Sequence, residues 1–208
     1  MAKLGMGCQE STERSTVGAK VTYRTAPGNT VPYPPLFDEM RQNHGFIDTD
    51  GHPEKVDEIP EVAWSDALRS LLLDLALPSS YFISLGCDLG QGKKPKGRLS
   101  TRWEAGGYVQ IMARDREEQG VPALQPLAKR IEARLKEECG SNNWEADLAL
   151  VPVVLACEND VMLQSLWAWF HARASTCDRA LSSRERLLVA FRDAVRRSQT
   201  DAPTIATI

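Results

Sequence analysis

A chain of 208 residues, 42% hydrophobic and 25% charged, has the apolar content of an ordinary globular domain and enough length to bury a sizeable core. Its net charge is only −3, so the molecule as a whole is not a polycation built for nucleic acid or an anionic membrane, and any such contact must come from a local patch. Five scattered cysteines (Cys8, Cys87, Cys139, Cys157 and Cys177), odd in number and without a CxxC pair, argue against both a disulfide framework and a thiolate zinc site.

The N-terminal residues lack the apolar core of a secretory signal, and no run approaches the ~20 apolar residues of a membrane span, so a soluble, cytoplasmic protein is expected. Residues 1–35 are polar and turn-rich. The prolines of Val31-Pro32-Tyr33-Pro34-Pro35 remove backbone donors and bias their predecessors toward extended geometry, which predicts an extended, partly disordered arm. Its Tyr33-Pro34-Pro35-Leu36 run has polyproline character and is expected to pack along its own domain.

Residues 36–76 carry ten acidic and three basic side chains, a strongly negative segment. Within it, Pro60 suits a first helical position, and Trp64, Ala67, Leu68, Leu71, Leu72 and Leu75 recur at steps of three and four. That spacing predicts an amphipathic helix over 61–76. Next, Tyr81, Ile83, Leu85, Cys87 and Leu89 alternate with more polar or smaller residues, the period of a half-buried strand. A second strand is expected at Tyr108-Val109-Gln110-Ile111-Met112. The two would form a central hairpin joined by a long basic loop.

Leu127, Ile131 and Leu135 form one stripe of a helix closed by Gly140. The almost continuously apolar 146–156 reads as a strand, and Pro152 within it predicts an edge or bulged position. Val161 to Ala174 contains Met162, Leu163, Leu166, Trp167, Trp169 and Phe170, apolar all round, which predicts a helix buried on most sides. Ser182 and Glu185 have capping-box spacing for a last helix ending at Arg197. The expected organisation is an arm (1–35), a single α+β domain (36–197) with a small mixed or antiparallel sheet flanked by about four helices, and a flexible tail (198–208).

The clearest candidate for function is the loop after the first strand. Lys93, Lys94, Lys96, Arg98 and Arg102 place five cations in ten residues with no acid among them, and Trp103 beside them offers a stacking face. The region 171–197 adds seven arginines against three acids, with Arg184, Arg192 and Arg196 as candidate contacts. If both sets share one face, a nucleic-acid or acidic-protein contact gains support. The same loop is not a P-loop: the residue five before Gly92 is Cys87, and Lys93 is followed by Lys94 and Pro95 rather than by Ser or Thr.

His44, Asp48, Asp50 and His52 are the densest set of candidate metal ligands. Aligning Gly51 with the glycine of a calcium loop puts Phe46 first and Asp57 twelfth, the wrong ligand at the first position, so a turn explains the stretch without an ion. His171, lying in an apolar run, reads as a packed imidazole. Cys87, sharing strand parity with Ile83 and Leu85, reads as a buried thiol.

No catalytic signature and no cofactor emerge. The expectation is a non-enzymatic accessory or complex-forming protein that contacts nucleic acid or an acidic partner through the basic loop and the arginine-rich helix. The alternatives are a scaffold subunit acting through its aromatic helix and proline-rich arm, including self-association, and a metal-dependent hydrolase at the histidine cluster.

Overall fold

The computed structural model describes residues 18–26, 28–37, 42–94, 102–115, 121–139, 143–156 and 161–200. They build an α+β fold: a mixed six-stranded sheet with three α-helices packed on one face. The strands of the main path are β1 (Gly18–Tyr23), β5 (Phe82–Leu89), β6 (Trp103–Ala113), β7 (Trp144–Leu155) and β8 (Val161–Ala174), in the order β1-β7-β8-β6-β5. The short β2 (Thr30–Val31) continues the β1 side, and β1 and β2 both run parallel to β7. All other pairings are antiparallel, including a separate two-stranded ribbon of β3 (Leu36–Phe37) and β4 (Gln42–Asn43). Part of the segment expected as an arm thus lies in the sheet.

The helices are α1 (Asp66–Ala76), α2 (Val121–Cys139) and α3 (Cys177–Thr200). In α1 the residues Ala67, Leu68, Leu71, Leu72, Leu75 and Ala76 are buried, as the three-and-four spacing predicts. The helix starts later than expected. Residues Pro53–Glu58 and Pro60–Trp64 form 3-10 turns, and Ser65 caps α1 by accepting from the Leu68 amide at 3.1 Å. Leu124, Leu127, Ala128, Ile131 and Leu135 give α2 its buried stripe; Gly140, the expected stop, lies outside the described residues.

Three expectations are corrected. Val161–Ala174 is a strand, not a helix: Leu166, Ala168, Phe170 and Ala172 are buried against the helices, while Trp167, Trp169, His171 and Arg173 alternate with them on the other face. The run looks apolar all round because both faces of one strand carry large apolar groups. Strand β7 is interior, not an edge. Pro152 is tolerated there because it falls between the stretch paired with β1 (Glu145 to Leu150) and the stretch paired with β2 (Val154 and Leu155). Its carbonyl still accepts from Gly28 at 2.8 Å, and among the described residues neither β1 nor β2 has a residue in register with it that would need the missing N–H as a donor. The β5–β6 pair is present but peripheral, with β5 at the sheet edge.

The last helix also differs. α3 begins at Cys177, and the Thr176 hydroxyl accepts from the Arg179 amide at 3.3 Å, so Ser182 and Glu185 lie inside the helix rather than at its start. Glu185 instead reaches across to α1. It accepts from the Ser65 hydroxyl at 2.8 Å and from the Ala67 amide at 3.3 Å, placing a carboxylate at that helix's positive end. Ser198, expected in the tail, is buried within α3 and donates to the Ala194 carbonyl.

On the face away from the helices a smaller core forms from Val31, Leu85, Met112, Val153 and Leu155, covered by Tyr33 and Phe46. The rest of that face is left to the aromatic residues of β6 and β8.

Candidate functional site

A recess of about 610 Å³ opens at the β5 edge of that uncovered face. Strand alternation on β6 and β8 brings Tyr108, Trp167 and Trp169 together, with Tyr108 in register opposite Trp169. The two indole rings stack at 5.6 Å with 16° between their planes, and the Tyr108 ring lies 5.0 and 4.9 Å from them. Trp169 remains 40% exposed. Tyr33 and the segment Asn43 to Gly45 form the opposite wall; Ile59, Pro60 and Glu61 close one end, and Cys87 and Asp88 lie on the adjoining edge.

A β-bulge sets this edge. In the β5–β6 register Ser84 pairs with Ile111 and Gly86 with Gln110, so Leu85 is an extra residue that inverts the parity of the rest of the strand. Cys87 therefore does not share a face with Ile83 and Leu85, contrary to simple alternation. Gly86, at φ 158°, adopts a backbone suited to glycine, and a Cβ there would stand 2.7 Å from the Tyr33 hydroxyl.

The recess is electrostatically one-sided. Among the described residues its lining contains Glu61 and Asp88 but no lysine or arginine, and His44 is the one basic group. Burial, with a smaller push from Asp88, raises the Glu61 carboxyl above the usual glutamate range despite its backbone hydrogen bond and nearby His44. Desolvation likewise pushes Tyr33 up to about 12 and raises the Tyr108 phenol and the Cys87 thiol, so all three stay protonated at neutral pH. A thiol held protonated, with no hydrogen bond to His44 among the described residues, is not an activated nucleophile.

The residues expected from sequence to bind an anion are divided by the fold. Lys93 makes a bridge with Glu104 through the backbone, and the Lys94 ammonium lies 6.0 Å from the Trp103 ring centre. Lys96 and Arg98 lie outside the described residues. Arg184 is corrected from surface contact to core: at 1% exposure it donates to the Gly90 carbonyl at 2.6 Å and to Glu185 at 3.0 Å. Arg192 and Arg196 both pair with Asp74, at 2.5 and 3.2 Å.

A different set of arginines converges. Arg102, at the end of the basic loop, lines a groove of about 500 Å³ together with Arg173 of β8 and Arg179 and Arg186 of α3. Arg102 donates to Asn143, and Arg173 is held between Glu104 at 3.1 Å and Glu145 at 2.8 Å. Arg179 and Arg186 donate only to serine hydroxyls, Ser175 at 3.4 Å and Ser183 at 3.1 Å, with no ion pair among the described residues. Their seven-residue separation, two helical turns, was the available sequence signal that they share a face.

The histidine cluster does not assemble. Asp48 accepts from the Asp50 amide at 3.1 Å, Asp50 pairs with Arg114, His52 contacts Glu54 at 3.1 Å, and His44 packs edge-on against Phe37. Among the described residues no three His, Cys, Asp or Glu side chains are placed to hold a metal. His171 stands 3.5 Å from Glu104 on the open face, its pKa lowered chiefly by burial. No helix among the described residues is long and apolar enough to cross a membrane. No protein-family model, curated protein or solved structure matches this chain.

Proposed function

We propose that the chain is a non-enzymatic accessory protein that contacts the phosphate backbone of a nucleic acid through the groove of Arg102, Arg173, Arg179 and Arg186. The observation that carries this reading is the meeting of the basic loop's last cation with two helix arginines on one groove wall. Guanidinium groups match phosphate oxygens in a forked geometry, and the Ser175, Ser182 and Ser183 side chains lining the groove add neutral donors. In the sequence, Lys93, Lys94, Lys96 and Arg98 precede Arg102 and Trp103 follows it, so the same segment carries further cations and a stacking side chain. In a protein of net charge −3 such binding is local and steeply salt-dependent.

Fluorescent single-stranded and duplex oligonucleotides titrated at increasing salt test the reading. Binding should weaken on adding salt, and the Arg179→Ala, Arg186→Ala double variant should reduce the slope of log affinity against log salt by about 2, roughly one unit per phosphate contact. Unchanged binding by that variant refutes it. Failure to bind any oligonucleotide, with retention of a polyanionic protein such as an acidic peptide, transfers the groove to an acidic protein partner instead.

A further inference from the structure

The recess between β5, β6 and β8 has a composition opposite to that of the arginine groove. We propose that it is a binding site for a small organic cation, an alkylated ammonium group seated over Trp167, Trp169 and Tyr108 with Glu61 and Asp88 as its counter-charges. This site is independent of the nucleic-acid reading.

Three observations converge on that chemistry. First, three aromatic rings meet within 5.6 Å of one another on an uncovered sheet face, and aromatic faces carry the negative lobe of the ring quadrupole, which attracts a cation. Second, Glu61 is half-buried without an ion-pair partner among the described residues, although the molecule pairs its other partly buried carboxylates readily, as Asp74 with two arginines and Glu104 with Arg173. A half-buried carboxylate that lines the same recess as the aromatic rings favours an organic cation there. Third, the volume of about 610 Å³ lies in the range of small-molecule sites and is far more than a bare metal ion fills, and the protonated Tyr33 and Tyr108 hydroxyls present neutral rather than anionic oxygen. A phosphate-bearing ligand is disfavoured here by the same two carboxylates.

The test uses the full chain and ligand-observed NMR titration with choline, its neutral isostere 3,3-dimethylbutan-1-ol, and methyl glucoside. Choline should bind at least about tenfold more tightly than the isostere, the margin a desolvated cation–π site supplies. Trp169→Ala, at a position already 40% exposed, and Glu61→Gln should each weaken choline several-fold while leaving the circular dichroism spectrum unchanged. Trimethyllysine, free and within a peptide, distinguishes the source of the group: preference for the peptide assigns it to a modified protein tail, and equal affinity to a free metabolite. Equal binding of choline and the isostere, stronger binding of methyl glucoside, or no binding of any cation at millimolar concentration overturns the proposal. If Trp169→Ala loses its fold, the Glu61→Gln and Asp88→Asn comparison decides alone.

Discussion

Arg184 offers the sharpest check on how the helices are locked to the sheet. Its guanidinium is buried, donating to the Gly90 carbonyl just past the end of β5 and to Glu185, which in turn holds the start of α1. Arg184→Met keeps an apolar stem of similar length and removes the charge. Two losses follow. The Gly90 carbonyl loses a charge-assisted donor, worth about 1.5–3 kcal/mol. Glu185 loses its cation, but because its side chain is 29% exposed and still accepts from Ser65 and Ala67, this second loss falls well short of a fully buried orphan charge. Together the two give about 3 kcal/mol. In a chain of this size that lowers Tm by about 6–12 °C. Urea unfolding followed by circular dichroism measures it, and a double-mutant cycle with Glu185→Gln should return a coupling of about 1 kcal/mol or more. A loss below about 1 kcal/mol for Arg184→Met would refute the argument that this arginine is a structural clamp rather than a surface contact.

Two further outcomes are expected. Gly107→Ala places a Cβ about 2.3 Å from the Asp88 backbone oxygen, so the β5–β6 pair must part, and thermal melting should show a loss of about 2 kcal/mol or more; a neutral substitution would contradict the close approach. The Glu61 carboxyl, raised above its ordinary value of 4.5, binds its proton more tightly in the folded than in the unfolded chain. Its contribution to stability is therefore fully present below pH 4.5 and lost as pH rises through the raised value. Glu61→Gln should accordingly be the more stable protein at neutral pH, the difference vanishing as the pH falls; a difference that grows on acidification would reverse the assigned sign.

The elements that could be read from sequence are those whose pattern has a single cause. Leu68, Leu71, Leu72 and Leu75 face one core, so their spacing reports one helix face directly. Strand β8 defeated the same reasoning because two causes overlap: its even residues are apolar for the core and Trp167 and Trp169 are apolar for the recess, and the sum has no visible period. The small residues Ala168 and Ala172 were the remaining clue, since a strand crossed by helices needs short side chains on alternate positions. Cys87 was misplaced for a subtler reason. Alternation is a local rule, and the extra residue at Leu85 resets it, which only the partner strand can reveal. Likewise the count of arginines in α3 was legible, but that Arg192 and Arg196 meet Asp74 depends on a residue more than a hundred positions away.

The position of β1 and β2 also has a consequence for the life of the chain before it is folded. Thr22 meets Asp147 across 125 residues, so β1 cannot take its place in the sheet until β7 has been made. In a molecule whose β1 and β2 are displaced, β7 would present an open backbone edge along Glu145 to Leu150 and at Val154 and Leu155. Such an edge recruits other strands. β1 and β2 therefore cover part of the outer edge of β7, and their displacement should be followed by aggregation rather than by release of a stable fragment.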